Sequence, residues 1–218
     1  MRSLASSSAC LVLGGLLSAC GSNRPELPAG FELSVGCSAP DYPLGPYGTE
    51  PGSVVKNACF PGLRDPARSG RTESELEALS LADFYDPSGE RYAVLLLNTA
   101  AVWCSACRVE HEDLSGRLAN LSGRKLGVLG ALFQDRDRNP AQFSDLALWT
   151  ETFATPFPMA LDPSYQLGVY ASAETAPLNL VIDTRDMRIL QKYIGDQAEV
   201  LWPYLDSILP GSAASANP

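Results

Sequence analysis

The chain has 218 residues, 45% of them hydrophobic and 19% charged, which suits one globular domain with appendages and is too little for two full domains. Its formal charge is −9, from 16 Lys and Arg against 25 Asp and Glu. Basic residues gather only in short pairs such as Arg124-Lys125, which argues against nucleic acid or anionic lipid bound through a basic patch.

Residues 1–19 carry one charge, Arg2, and an apolar stretch through Leu11, Val12, Leu13, Leu16 and Leu17. That is too short for a stable bilayer span and reads as a secretory signal. Its end, Leu17-Ser18-Ala19-Cys20, resembles a bacterial lipobox. Cys20 would then be acylated, and a lipid anchor would replace a transmembrane span. The alternative is ordinary cleavage after a small residue, leaving Cys20 as a thiol. Gly21 and Ser22 follow where enteric bacteria use aspartate to retain lipoproteins in the inner membrane, which leans toward the outer membrane. The expected location is the bacterial cell envelope, facing the periplasm.

Residues 20–36 are a polar, proline-punctuated tether. Residues 37–66 are dense in Gly and Pro, with Tyr42 and Tyr47 as anchors, and read as an ordered loop-rich extension with a short strand near Val54 to Phe60. Of 6 cysteines, Cys10 leaves with the signal and Cys20 carries lipid. Cys37, Cys59, Cys104 and Cys107 remain, and in an oxidising compartment a structural Cys37–Cys59 bond beside a Cys104–Cys107 pair is the simplest division.

The domain proper is expected over 67–209. Arg68 to Glu77 is charged and exposed, Ser80 to Tyr85 is a capped helical turn, and Arg91 to Asn98 is a buried strand. From Ser105 the apolar positions Leu114, Leu118 and Leu121 take a helical period. Leu126 to Phe133 is a second buried strand, and Pro140 to Phe153 a crossover helix beginning at its proline. A short strand (Phe157 to Leu161), a brief helix (Pro163 to Tyr170), a hairpin (Leu178 to Asp183, Arg188 to Ile194) and a closing helix (Gln197 to Leu209) follow. Residues 210–218 form a small polar tail, expected to be disordered. Strands alternating with helices give an α/β mixed sheet with helices on both faces.

Trp103-Cys104-Ser105-Ala106-Cys107 lies where strand gives way to helix. A helix N-terminus stabilises an anion, so Cys104 is favoured as thiolate, and Cys107, one turn on, is placed to resolve a mixed disulfide. The competing readings are a purely structural bond or half of a zinc site, and neither Cys37 with Cys59 nor the lone His111 supplies zinc-finger spacing. No metal or cofactor is expected.

The order strand, CxxC helix, strand, helix, strand, proline, hairpin, helix resembles a thioredoxin-like fold. It is similar to the membrane-tethered thiol-disulfide oxidoreductases of the TlpA and ResA type, in the redoxin superfamily, over about Val54 to Leu209. Asn98 matches the asparagine those proteins show where cytoplasmic thioredoxin has a buried aspartate, and Glu110 falls where they carry a glutamate near the cysteines. Phe157 to Pro163 matches the strand and turn of the family's insertion, and Ala176-Pro177 falls at its cis-proline, which helps receive an extended substrate backbone. Ser105-Ala106, Ala176, Leu178-Asn179 and Glu112 depart from the family's usual residues.

The resemblance implies disulfide exchange with envelope proteins, or with cytochrome-c haem-site cysteines, and an unidentified redox partner. Cys104 would be the nucleophile, Cys107 the resolving thiol and Glu110 its proton acceptor, with an exposed helix carboxylate as the bland alternative for Glu110. Trp103 shields the thiolate or sits in the core. His111, between Glu110 and Glu112, reads as a solvated residue or ion-pair member. The contrasting hypothesis is a non-catalytic binding lipoprotein with a permanent Cys104–Cys107 bond.

Overall fold

The computed structural model describes residues 37–211. The expected signal, Cys20, the tether and residues 212–218 of the tail lie outside the described residues. Among the described residues no helix is long and apolar enough to cross a membrane.

The elements run β1 (Cys59–Leu63), β2 (Glu77–Ser80), β3 (Val94–Ala101), α1 (Ser105–Asn120), β4 (Leu126–Gln134), α2 (Phe143–Thr152), β5 (Met159–Leu161), β6 (Leu178–Asp183), β7 (Arg188–Ile194) and α3 (Ala198–Ile208). The strands make one mixed sheet ordered β2-β1-β5-β4-β3-β6-β7. β3 runs parallel to β4 and antiparallel to β6, and β5 is parallel to β4. All eight residues of β3 are buried, which is why its sequence is apolar without alternation.

Successive β3 side chains serve opposite faces. Val94, Leu96 and Ala100 pack with Cys107 and Leu114 of α1, Leu146 and Trp149 of α2, and Leu201, Trp202 and Leu205 of α3. The steps β3-α1-β4 and β4-α2-β5 move the same way across the sheet, so right-handed crossovers set α1 and α2 on one face. Leu95 and Leu97 pack on the other face, under 3-10 turns at Leu81–Phe84 and Gln166–Val169 and under Tyr42, Val54 and Val55 of the extension. The extension therefore supplies a layer of the core.

The fold shifts the central strand from the expected Arg91 to Asn98 to Val94–Ala101 and differs from the sequence reading in three further stretches. Val54 does not open β1; it bridges Arg188 at the start of β7, and the Val55 N–H donates to the Met187 carbonyl at 2.9 Å. β1 begins at Cys59 and lies between β2 and β5, with Gly62 against Leu79 and the β5 backbone. A Cβ on Gly62 would meet Leu79 Cδ1 at 2.5 Å and the Met159 oxygen at 2.6 Å, so glycine is required there by close approach. β2 was unexpected, since Glu-Ala-Leu-Ser lacks a strand signature and is ordered by its neighbour. α2 starts at Phe143, because Pro140 is used in a bridge to Gln134 that closes the preceding loop. The Asp145 carboxylate instead accepts the Gln142 N–H at 2.8 Å.

Candidate active site

β3 ends at Ala101, and a two-residue turn brings the chain to Cys104, the N-cap of α1. The turn is fixed at both ends: Val102 N–H donates to the Gln134 carbonyl at 2.9 Å, and Cys104 N–H to the Ala101 carbonyl at 3.0 Å. Cys104 Sγ accepts the Cys107 N–H at 3.1 Å, so the sulfur takes one of the helix's unpaired donors. The two cysteines are joined as a disulfide with Cα atoms 5.3 Å apart. Cys104 is 3% exposed and Cys107 fully buried.

Across from the pair, the Ala176–Pro177 bond is cis. The Ala176 carbonyl oxygen lies 3.6 Å from Cys104 Sγ. The Pro177 carbonyl is held by Gly195 N–H at 2.7 Å, and the next residue, Leu178, donates to Thr99 Oγ1 at 3.2 Å. Trp103 is half-buried; its Nε1 donates to Gln134 Oε1 at 2.9 Å, and the Arg138 guanidinium sits 3.9 Å above its ring. The sequence-read residues Trp103, Cys104, Cys107, Ala176 and Pro177 thus flank one disulfide at the C-terminal end of β3.

Glu110 stands one turn beyond Cys107 on the buried side of α1, where it accepts two amide hydrogen bonds. Asn98 Nδ2 donates to Oε2 and Asn179 Nδ2 to Oε1, both at 2.8 Å. Asn98 Nδ2 also donates to Asn179 Oδ1 at 2.9 Å, across the β3–β6 register that sets the two asparagines opposite each other. Burial raises the Glu110 carboxyl to about 7, against the two amides, which lower it, and with Asp196 adding to the rise. A carboxyl poised there exchanges its proton near neutral pH.

His111 corrects the sequence reading. It is 1% exposed and enclosed by the rings of Trp149, Phe153 and Phe157, with centroids 5.1, 5.8 and 5.8 Å away. Its Nε2 pairs with Asn98 Oδ1 at 2.9 Å, and its Nδ1 accepts from Trp149 Nε1 at 3.1 Å. Burial pushes its pKa down to about 3, so the imidazole is neutral. Sequence reading missed it because the rings that enclose it come from α2 and the segment after it, not from its own helix. Asn179 and Gln134 were missed too; the available signal for Asn179 was a polar residue in an otherwise apolar strand.

Cys37 and Cys59 are bonded to each other, and β1, which carries Cys59, is separated from β3 by β5 and β4. Among the described residues no group of three or more His, Cys, Asp and Glu side chains is arranged to hold a metal ion.

No family model matches the chain. It is 31% identical over 117 residues to the thiol:disulfide interchange protein DsbE of Yersinia pestis, covering 53% of this chain and 55% of that one. It is 27% identical over 137 residues to DsbE of Vibrio cholerae, covering 61% and 68%. The chain spans about half the length of most curated relatives it matches. Among solved structures it resembles a thiol:disulfide interchange protein of Chlorobium tepidum, with TM-score 0.54, 18% identity and coverage of 73% of this chain and 95% of that one. It also resembles a DsbF homologue of Corynebacterium diphtheriae, with TM-score 0.52, 22% identity and coverage of 72% and 87%.

Proposed function

We propose that this chain, whose thioredoxin-like fold is related to that of the DsbE- and TlpA-type thiol-disulfide proteins, exchanges disulfides with proteins of the bacterial cell envelope through Cys104 and Cys107. The observation that carries this reading is the setting of Cys104, an N-cap sulfur that accepts a helix N–H and lies 3.6 Å from the Ala176 carbonyl oxygen. A helix N-terminus favours thiolate over thiol, and the thiolate is the reactive form.

In the reductive direction, Cys104 thiolate attacks one sulfur of a substrate disulfide, and the other substrate sulfur leaves as thiolate. Cys107 gives its proton to Glu110 and attacks Cys104 Sγ, closing the pair and releasing the first substrate sulfur. Two electrons pass from the dithiol to the substrate, and a thiol partner must restore them; run backward, the same steps oxidise. Trp103 offers the substrate an apolar face, and Ala176 with Pro177 a backbone edge. No cofactor is needed.

The test is trapping. Cys107→Ser, which keeps the nucleophile and removes the resolving thiol, should accumulate a mixed disulfide with a model protein disulfide, and Cys104→Ser should not. Trapping by neither variant would overturn the reading. It would favour a non-catalytic binding protein with a permanent bond, to which the 3% exposure of Cys104 lends support.

The reading extends to a lipid anchor at Cys20, supported by Leu17-Ser18-Ala19-Cys20. Cys20→Ser should move the chain from the membrane fraction to the soluble fraction. Unchanged fractionation would exclude the anchor.

A further inference from the structure

The hydrogen bonds behind the cysteines have a direction that the side-chain chemistry forces. An indole N–H only donates, so Trp149 makes His111 Nδ1 an acceptor. A neutral imidazole must then carry its proton on Nε2 and donate to Asn98, which turns Oδ1 of that amide toward the histidine. Both Asn98 N–H groups are thereby committed, one to Glu110 Oε2 and one to Asn179 Oδ1. Asn179, accepting on its oxygen, turns its own Nδ2 onto Glu110 Oε1. Reversing any one amide would set oxygen against oxygen or nitrogen against nitrogen in a fully buried site.

We propose that Trp149 and His111 are positioning residues that act through Asn98, with Asn179 as a second arm, to fix two amide donors on Glu110 and so hold it as the proton acceptor for Cys107. The proposal rests on the reading of Glu110 given above. It assigns a role to His111, the one histidine of the chain, that requires the ring to stay neutral. Neither amide can receive a proton from Glu110, so the acid's proton cannot leave through His111.

The other groups around the carboxyl do not supply this control. Asp196, in the turn after β7, raises its pKa. Tyr193, opposite Asn179 in the β6–β7 ladder, is a phenol whose own pKa is raised by burial and by Tyr204, so it stays neutral. Without the indole N–H, His111 is free to adopt the Nδ1–H tautomer. Asn98 can then invert and present its oxygen to Glu110, which disfavours the carboxylate.

The test uses the oxidised full chain, in which Cys104 and Cys107 do not titrate, and reads two nuclei. Imidazole 15N shifts of the single histidine should report the Nε2–H tautomer with no titration between pH 4 and 9. A titrating ring or an Nδ1–H tautomer would overturn the proposal. The Glu110 carboxyl 13C titration should move up by about one pH unit, the size of one hydrogen bond to a charged group, in Trp149→Phe and in Asn179→Ala.

His111→Leu should do the same, whereas His111→Gln, whose amide can accept from Trp149 and donate to Asn98, should keep the native midpoint. A merely structural role for the His111 ring would lower the stability of both His111 variants and leave the Glu110 midpoint where it was; that result would overturn the proposal. None of these readings needs turnover, so loss of disulfide exchange with the titrations as expected would count against the functional reading alone.

Discussion

Glu110, the proposed proton acceptor for Cys107, also ties the stability of the chain to pH. Its folded pKa is about 7 against an ordinary value of 4.5. Between these values the unfolded chain has lost the proton and the folded chain retains it, so this group's contribution falls as pH rises from about 4.5 to about 7 and is constant on either side. His111 has the opposite sense: its pKa falls from 6.5 to about 3, so its contribution rises with pH over that window. Glu110→Gln removes the first dependence and keeps the second. Denaturant unfolding of the oxidised protein should therefore show the wild type losing on the order of 3 kcal/mol relative to the variant between pH 4.5 and 7. A pH-independent difference would mean that the carboxyl is not perturbed. At this scale the sequence displayed what short spacing encodes, namely the cysteine pair and Glu110 one turn on. It hid what distant residues impose: His111 is enclosed by Trp149, Phe153 and Phe157 and hydrogen-bonded by Trp149, 38 positions away, and the role of Asn179 comes from a strand register that pairs it with Asn98.

Among the elements, the hairpin strands β6 and β7 match their expected bounds residue for residue, while the apolar run expected at Arg91 to Asn98 is strand from Val94 to Ala101. β1 and β2 were displaced or missed because Cys-Phe-Pro-Gly-Leu and Glu-Ala-Leu-Ser carry no alternation. Their conformation is dictated by partners in the sheet, where tertiary context outweighs local preference. Gly62 is the point at which that context is tightest. Gly62→Val should push β1 from Leu79 and the β5 backbone and cost about 1–3 kcal/mol, read as a lower denaturant midpoint, while the Cys104 chemistry persists. An unchanged midpoint would mean that β1 adapts without loss.

For the whole molecule, α/β alternation and the CxxC junction were enough to anticipate the thioredoxin-like fold. In the extension the Tyr42 anchor and the Cys37–Cys59 pairing were legible, but its place in the fold was not, because a Gly- and Pro-rich stretch does not announce which face it covers. In the structure Tyr42 is buried with its hydroxyl on the Val55 carbonyl at 3.0 Å, and Val54 and Val55 close the core opposite the α-helices. The Cys37–Cys59 bond ties this layer to β1 across a separation of 22 residues. Replacing both cysteines by serine should lower stability by about 3 kcal/mol through the freed chain entropy of the unfolded state, measured by unfolding under oxidising conditions. Equal stability would mean that the layer holds without its staple. The trapping chemistry of Cys104 should survive the replacement, since the two bonds lie in different parts of the sheet.

The central claim is that Cys104 and Cys107 form a working exchange pair. The direct measurement is their reduction potential, by equilibration in thiol redox buffers with mass mapping to keep Cys37 and Cys59 apart. A value between roughly −120 and −270 mV is predicted, the upper end marking an oxidant or isomerase and the lower a reductant. A value below about −300 mV, with Cys104 slow to react after reduction, would identify a structural bond and contradict the account.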